Sequence, residues 1–205
     1  MNVYDFDKTI YDGDSTVDFY LYCIKNHPKL ILDIPKQIIN MGLYLIGKYD
    51  KTKLKEKFYS FLKKITNVDE DIKEFWNKNK SKIKKIYKNK RQESDIIISA
   101  SPYFLLEPIC KEIGIRKLIA SDVNKATGKY NGKNCYGEEK VNRFYKEYPN
   151  EKIEEFYSDS LSDEPLAKIA KSAFIVHDEY ITKWEEYKPS ILQKAKTIFF
   201  DKSFI

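Results

Sequence analysis

The sequence predicts an α/β protein in which a doubly wound parallel sheet is interrupted by a helical insertion. Residues 1–12 contain a short apolar strand that runs directly into acidic residues. Residues 13–92 carry apolar side chains at three- and four-residue spacing, which is the period of amphipathic helices. After residue 92, short apolar runs alternate with helical patterns, as in parallel sheets. We therefore expect residues 1–12 and 93–205 to form a core domain and residues 13–92 to be an α-helical domain inserted into it.

Composition supports a folded protein of one domain with an insertion. The chain has 205 residues, of which 42% are hydrophobic and 15% aromatic, and this excludes a disordered or collagen-like chain. Cys23, Cys110 and Cys135 are far apart in the sequence, which argues against a disulfide framework or a zinc ribbon and favours a reducing compartment. Charged residues occur from Asp5 onwards and no signal-peptide pattern precedes them. We expect a cytoplasmic location.

Individual elements can be placed from turn and cap signals. Asp14 or Ser15 is suited to cap the first inserted helix, and Pro102 precedes an amphipathic helix that ends at Gly114. The Gly- and Asn-containing segment 125–134 is typical of a β-hairpin. Further strands are expected at 95–99, 117–121, 153–158, 173–177 and 196–200, with helices near 138–147 and 163–171.

Positive charge is concentrated in the insertion. Residues 48–91 contain 16 Lys and Arg against 6 Asp and Glu, whereas the net charge of the whole chain is only +6. This segment is either a solvated helical surface or a positive lid that attracts an anionic substrate. The apolar stretch 30–46 beside it also has two interpretations. We expect it to form the insertion's own core, and the alternative is that it rests on an anionic membrane surface.

Polar residues follow the predicted strands at the end where open α/β sheets bind ligands. Asp5 and Asp7 follow the first strand, Ser99 ends the next, and Asp159 and Asp163 follow a later one. Four carboxylates in one crevice repel each other unless a cation lies among them. Oxygen ligands without His or Cys favour Mg²⁺, which commonly acts with phosphorylated substrates. The sequence therefore predicts a magnesium and phosphate site.

Lys140 opens a helix between these strands and, with Ser99, would donate hydrogen bonds to phosphate oxygens. The backbone N–H groups after Ser99 would add to this anion site. Simpler alternatives exist for two of the residues: Lys140 could be a surface charge, and Asp163 could only cap the helix that follows it.

Four motifs make the chain resemble the haloacid dehalogenase (HAD) superfamily of phosphohydrolases. Residues 5–9 match its DxDxT signature, and Ser99 ends its second motif. Residues 137–140 correspond to its third motif and residues 158–163 to its fourth, in the family's order. The predicted insertion lies between the first two motifs, where the family carries a type-1 cap.

The resemblance implies a Rossmann-like core and a mechanism. Asp5 would be the nucleophile that forms an aspartyl-phosphate, and Asp7 would act first as general acid and then as general base. Mg²⁺ would be held by Asp5, the Asp7 backbone carbonyl and Asp159, with support from Asp163. The residues implied for binding the substrate phosphate are Ser99, Ala100 and Lys140.

The residues that would select the substrate depart from the most similar subfamily, the phosphoserine-phosphatase-like proteins. Asp14 stands where that subfamily has a Glu, one methylene longer, and is the candidate specificity residue. Residues 13–90 contain no Arg for a substrate carboxylate, and Lys lacks the bidentate fork of Arg. Ala100 and Ser101 replace a Gly pair. We therefore do not expect phosphoserine to be the main substrate.

These observations together predict a Mg²⁺-dependent phosphomonoester hydrolase that acts on a small phosphorylated metabolite. Two alternatives stay open: a phosphatase of a lipid head-group phosphate at the membrane surface, and a phosphotransferase or mutase on the same scaffold. No nucleic-acid partner is expected, because the Lys-rich segment lacks the Arg and Gly typical of many RNA-binding tracts.

Overall fold

The computed structural model describes residues 1–189 and confirms the predicted α/β class. Within these residues, six strands form one sheet in the order β3-β2-β1-β4-β5-β6. The first five strands run parallel, and β6 pairs antiparallel with β5 at the edge. The strands are β1 (Asn2–Tyr4), β2 (Ile96–Pro102), β3 (Lys117–Ser121), β4 (Ile153–Ser158), β5 (Ala170–His177) and β6 (Tyr180–Lys183).

Five α-helices lie between β1 and β2, as the periodicity predicts. They are α1 (Ser15–Asn26), α2 (Ile34–Leu45), α3 (Lys51–Tyr59), α4 (Val68–Asn79) and α5 (Lys85–Lys90). The later helices are α6 (Tyr103–Glu112), α7 (Glu138–Glu147) and α8 (Glu164–Ile169). Asp14 caps α1, since its carboxylate accepts a hydrogen bond from the Val17 N–H at 3.0 Å.

Three details of the fold differ from expectation. Strand β2 continues to Pro102, which pairs with Ser121 of β3 beyond an irregularity in the register. Segment 125–134 forms a turn closed by a single antiparallel bridge, between Val123 and Tyr130, rather than a hairpin of two strands. The strand expected at 196–200 lies outside the described residues, and the edge strand that the sheet has, β6, lies earlier in the segment after Asp178.

Both faces of the sheet are covered by apolar side chains. On one face, Tyr4 and Ile97 belong to a cluster that continues into the inserted helices, where the indole N–H of Trp76 donates to the Leu105 carbonyl at 2.6 Å. On the other face, Val3 packs in a second cluster with Phe144, among others. The inserted helices thus share buried packing with the sheet, and their existence as a separate domain stays a prediction.

The apolar stretch 30–46 does not form the core of the insertion as expected. Leu30 and Tyr44 are buried, but Leu32 is 79% exposed and Ile38 is 67% exposed. The reason is the orientation of α2, which places Asn40 on its buried side. Within the described range, no helix is long and apolar enough to cross a membrane.

Candidate active site

The topology brings the predicted strand-end residues to one edge of the sheet. Strand β1 is the central neighbour of both β2 and β4, so the chain leaves all three parallel strands at the same edge. Asp5 follows β1, Ser99 lies near the end of β2, and Asp159 follows β4. The Asp159 N–H donates to the Thr9 hydroxyl at 2.9 Å, which ties the segment after β4 to the segment after β1.

Lys140 lies at the centre of the site rather than on the surface. It belongs to the first turn of α7, and its side chain is buried. Its Nζ donates to Asp5 Oδ1 and to Asp163 Oδ2, each at 2.8 Å. Asp163 also accepts a hydrogen bond from the Ser158 hydroxyl at 2.8 Å. Asp163 therefore positions Lys140, a role beyond that of a helix cap.

Burial and mutual repulsion shift the acidity of this cluster. Burial raises the pKa of Asp5 to about 8; Lys140 opposes this shift, while Asp163, Asp159 and Asp7 add to it. Burial also raises the pKa of Asp159 to about 6, against the lowering effect of Lys8. Burial lowers the pKa of Lys140, but Asp163 and Asp5 together hold it above its ordinary value. Lys140 alone therefore does not balance these carboxylates when all of them are ionised.

The oxygen atoms of the site that Lys140 does not contact are suitable ligands for a hard cation. Asp163 Oδ1 is buried with no hydrogen-bond partner among residues 1–189. Over the same part of the chain, no group of three Asp, Glu, His or Cys side chains converges as a metal site. The predicted ligands include two carboxylates, from Asp5 and Asp159, together with the Asp7 backbone carbonyl. Asp163 was expected to support the ion directly or through water. Mg²⁺ commonly binds proteins through one or two carboxylates and keeps several waters, so the donors present suit it.

Asp7 lies in a different environment from Asp5. Its carboxylate accepts the Ser15 N–H at 2.7 Å and the Ser101 hydroxyl at 2.5 Å. The Ser101 hydroxyl is in turn 3.2 Å from that of Thr16. Burial and the charge of Asp14 raise the pKa of Asp7, whereas the hydrogen bonds from Ser101 and Ser15 lower it. Two carboxylates two residues apart are therefore held by separate partners.

Ser101 is a site residue that the sequence analysis did not identify. It was noted only as a departure from the Gly pair of related proteins. Its N–H also donates to the Ser99 hydroxyl at 3.1 Å, so that Ser101 contacts both Ser99 and Asp7. The position of a hydroxyl two residues after Ser99 is the only sequence signal that could have suggested this.

Lys55 is the second residue that was missed. It projects from α3, and its Nζ donates to the Ala100 carbonyl at 3.0 Å and to Asn134 Oδ1 at 3.3 Å. Burial lowers the pKa of Lys55 to about 8, although the charges of Asp14 and Asp7 act in the opposite direction. Both hydrogen-bond partners are neutral, and no carboxylate in the described part of the chain lies within ion-pair distance of its Nζ. No signal distinguished Lys55 from the other lysines of its segment.

The remaining predicted residues occupy the same region. Ser99 is buried, and Ala100, half-buried, follows it along β2. Asp14 is half-buried, and its carboxylate is engaged by the N-terminus of α1. Its charge raises the pKa of Asp7, which places it near the site.

Comparison with known families identifies the class of protein. Residues 3–168 match the family of haloacid dehalogenase-like hydrolases. This match covers most of the chain and includes all four predicted motifs. The chain belongs to this family and is a hydrolase by membership, which confirms the resemblance found in the motifs.

Solved structures share the fold at low sequence identity. A protein of unknown function from Bordetella pertussis Tohama I has a TM-score of 0.68 and 20% identity, with 82% of this chain and 85% of that chain covered. A phosphoserine phosphohydrolase-like protein from Francisella tularensis subsp. tularensis SCHU S4 has a TM-score of 0.52 and 19% identity, with 84% and 86% covered. A probable phosphoserine phosphatase from Vibrio cholerae has a TM-score of 0.53 and 11% identity, with 84% and 55% covered. No curated protein sequence gives a significant match.

Proposed function

We propose that the chain is a Mg²⁺-dependent phosphatase that hydrolyses a small phosphorylated metabolite through an aspartyl-phosphate on Asp5. The observation that carries this proposal is the buried contact of Lys140 with both Asp5 and Asp163 at the carboxyl ends of the parallel strands. Membership of the hydrolase family and the fold shared with phosphoserine-phosphatase-like proteins support it. All three cysteines are free, which suits the cytoplasmic location we propose.

Asp5 is the group best placed to attack phosphorus. Lys140 fixes one carboxylate oxygen, Oδ1, at 2.8 Å and leaves the other available. Attack forms a bond between a carboxylate oxygen and phosphorus, while the bond from phosphorus to the alkoxide leaving group breaks. The Lys140 ammonium partly balances the charge that accumulates when an anionic phosphate approaches an anionic carboxylate.

Asp7 is the group that donates and then accepts a proton in this mechanism. In its protonated form it donates a proton to the departing alkoxide oxygen, and the alcohol leaves. The resulting carboxylate then accepts a proton from the water that attacks the aspartyl-phosphate, which releases inorganic phosphate and restores Asp5. The separate hydrogen bonds from Ser101 and Ser15 hold the Asp7 carboxylate in a fixed orientation during both steps.

The substrate phosphate would be held by groups from three elements. The Ser99 hydroxyl and the Ala100 backbone N–H come from β2, and Lys140 comes from α7. Lys55, from α3, adds a cation beside Ala100. Asp5, the Asp7 carbonyl and Asp159 would hold Mg²⁺, with Asp163 in support. When bound, this ion would offset the charge of the phosphate and polarise its oxygens.

The inserted helices would act as the cap that selects the substrate. Lys55 brings positive charge from the insertion to the site, which suits an anionic substrate. Asp14, the candidate specificity residue, also caps α1 and so has one carboxylate oxygen engaged. An anionic metabolite suits Lys55. Asp14, Ala100 and Ser101 argue against phosphoserine as the main substrate.

The test is hydrolysis of p-nitrophenyl phosphate by the wild type, by Asp5→Asn and by Asp12→Asn. Asp12 is exposed and close in sequence, so its variant controls for the loss of a carboxylate. We expect phosphate release with Mg²⁺, none with EDTA, and a loss of at least about 10³-fold in Asp5→Asn only. Turnover that persists in Asp5→Asn would contradict the proposal.

Two further measurements separate hydrolysis from transfer. Free phosphate and p-nitrophenol should appear in equal amounts even with an added alcohol acceptor, and a phosphate deficit would indicate a phosphotransferase instead. Beryllium fluoride, which mimics a phosphoryl group on a carboxylate, should raise the thermal stability of the Mg²⁺-loaded wild type but not of Asp5→Asn.

A further inference from the structure

Helix α2 differs from an ordinary surface helix in the side chains that it buries and exposes. A surface helix normally buries its apolar stripe and exposes its polar residues. Here Asn40 is buried, and its Nδ2 has no hydrogen-bond partner among residues 1–189. Gln37 also faces inwards, where its Nε2 donates to the Lys57 and Phe58 carbonyls at 3.3 Å each. The inner side of α2 is therefore polar in part, and most of its aliphatic side chains are left outside.

The exposed side of α2 carries most of the aliphatic side chains of this helix. Positions 38, 39, 45 and 46 follow the i, i+1, i+7, i+8 spacing of one helix face. Two further exposed aliphatic residues belong to the turn that leads into the helix. We call this set the α2 apolar face, and its members are Ile31, Leu32, Ile38, Ile39, Leu45 and Ile46. An exposed apolar face of this kind marks an interaction site.

The charged residues within the segment that carries this face are mostly positive. Lys29, Lys36 and Lys48 are exposed beside it. The single acidic residue between positions 28 and 49 is Asp33, and its charge is paired with Lys64 at 2.7 Å. An aliphatic face with a cationic rim is the pattern of helices that lie in the interface of a bilayer containing anionic lipids.

We propose that the α2 apolar face docks on the surface of an anionic lipid bilayer. The twelve residues of α2 span about 18 Å, which suits a helix lying in the plane of the interface rather than across the membrane. The aliphatic side chains enter the boundary between head groups and acyl chains, while the lysine ammonium groups contact anionic head groups. This replaces the interpretation of stretch 30–46 as the insertion's own core.

A bilayer fits this face better than a second copy of the chain does. In a symmetric dimer the same surface meets itself, so Lys29, Lys36 and Lys48 of both copies would approach each other. Such like-charge contacts oppose association, whereas anionic head groups favour it. Docking would also place the active site close to the membrane, because α2 packs on α3, the helix that carries Lys55 to the site.

The test is co-sedimentation of the full chain with vesicles, which does not depend on catalysis and so can fail independently of the proposed function. We expect binding to phosphatidylcholine vesicles that contain about 30 mol% phosphatidylglycerol, and much weaker binding without the anionic lipid. Raising the salt from about 50 to about 500 mM should weaken binding, because it screens the lysine charges.

Substitutions on the α2 apolar face and elsewhere on the protein test which surface binds the vesicles. Ile38→Glu or Leu45→Glu should lower the vesicle partition coefficient by about tenfold or more, since each removes an aliphatic side chain from the interface. Tyr145→Glu, an exposed position on α7, should leave it unchanged. Lys36→Glu should weaken binding about tenfold on anionic vesicles, whereas Lys152→Glu, just before β4 and so at the opposite edge of the sheet from the site, should not.

Three results would overturn the proposal. The first is no binding to anionic vesicles at low salt, or binding that Ile38→Glu and Leu45→Glu leave intact. The second is a dimer in solution that Ile38→Glu dissociates, which would make a second copy the occupant. The third is vesicle binding that appears only after residues 190–205 are deleted, which would make the chain's own C-terminal segment the occupant. Circular dichroism and thermal unfolding establish that each variant is folded.

Discussion

The carboxyl ends of the strands and the inserted helices meet at the candidate active site, and they differ in how a buried charge is balanced. At the strand ends, the Lys140 ammonium lies between Asp5 and Asp163. In the insertion, the Lys55 ammonium is held by the neutral oxygens of Ala100 and Asn134. An ammonium group that is paired with fixed carboxylates keeps its position and its protonation state. A buried charge without an ionic partner is available to an anionic ligand, at a cost to stability.

The largest expected effect comes from breaking the matched charge at the strand ends. Lys140→Met should destabilise the protein by about 3 to 5 kcal/mol, because Asp5 and Asp163 would then be buried without their cation. Phosphatase activity should fall by at least about 10³-fold, since the nucleophile loses its fixed orientation. Urea unfolding and p-nitrophenyl phosphate hydrolysis measure the two effects.

Lys146→Met is the matched control for this substitution. Lys146 lies on the same helix, α7, but is exposed, so its loss should change the free energy of unfolding by less than about 0.5 kcal/mol. Equal stability of the two variants would mean that the contact of Lys140 with the carboxylates does not stabilise the fold.

The comparison also shows which parts of the site a sequence can predict. The spacing of Asp5, Ser99, Lys140 and Asp159 predicted their convergence, because successive parallel strands deliver their carboxyl ends to one edge of the sheet. Helix α7 was predicted near the residues it occupies, since a helical pattern is a local signal in the sequence.

The contribution of the insertion could not be predicted in the same way. Periodicity identifies a helix but does not say which of its sides faces the protein, and stretch 30–46 was therefore assigned to a core. Lys55 is one of many lysines, and only the folded structure, which brings its side chain to Ala100 and Asn134, selects it. Ser101 was missed because its role depends on the approach of Asp7 and Thr16 from a distant part of the chain.

A smaller effect is expected from Ser101, which links the two regions through Thr16. Ser101→Ala should lower kcat by about tenfold to a hundredfold, because a hydrogen bond to a charged carboxylate contributes about 1.5 to 3 kcal/mol. KM should change little if Ser101 acts by orienting Asp7. Steady-state kinetics provide the measurement, and Ser101→Thr should restore part of kcat because it keeps the hydroxyl. An increase in KM with unchanged kcat would instead place Ser101 in substrate binding.

The smallest effect is expected for Lys55→Met, which removes the buried charge that the insertion brings to the site. If the Lys55 ammonium attracts the anionic substrate, KM below pH 8 should rise about tenfold, which corresponds to about 1.4 kcal/mol. Since burial lowers the pKa of Lys55 to about 8, the ratio of wild-type to Lys55→Met kcat/KM should fall towards one as the pH rises through about 8. The ratio removes the titration of Asp5, whose pKa is also about 8 and which both proteins share.

The free energy of unfolding should respond to Lys55→Met in the opposite direction from its response to Lys140→Met. A lysine with a folded-state pKa near 8 and an unfolded value near 10.5 binds more protons when unfolded, so wild-type stability should rise between these pH values. Lys55→Met should remove this rise and be at least as stable as the wild type at pH 7. Lys53→Met, exposed on the same helix, is the control. A Lys55→Met protein as destabilised as Lys140→Met would show that both regions hold their charges in the same way.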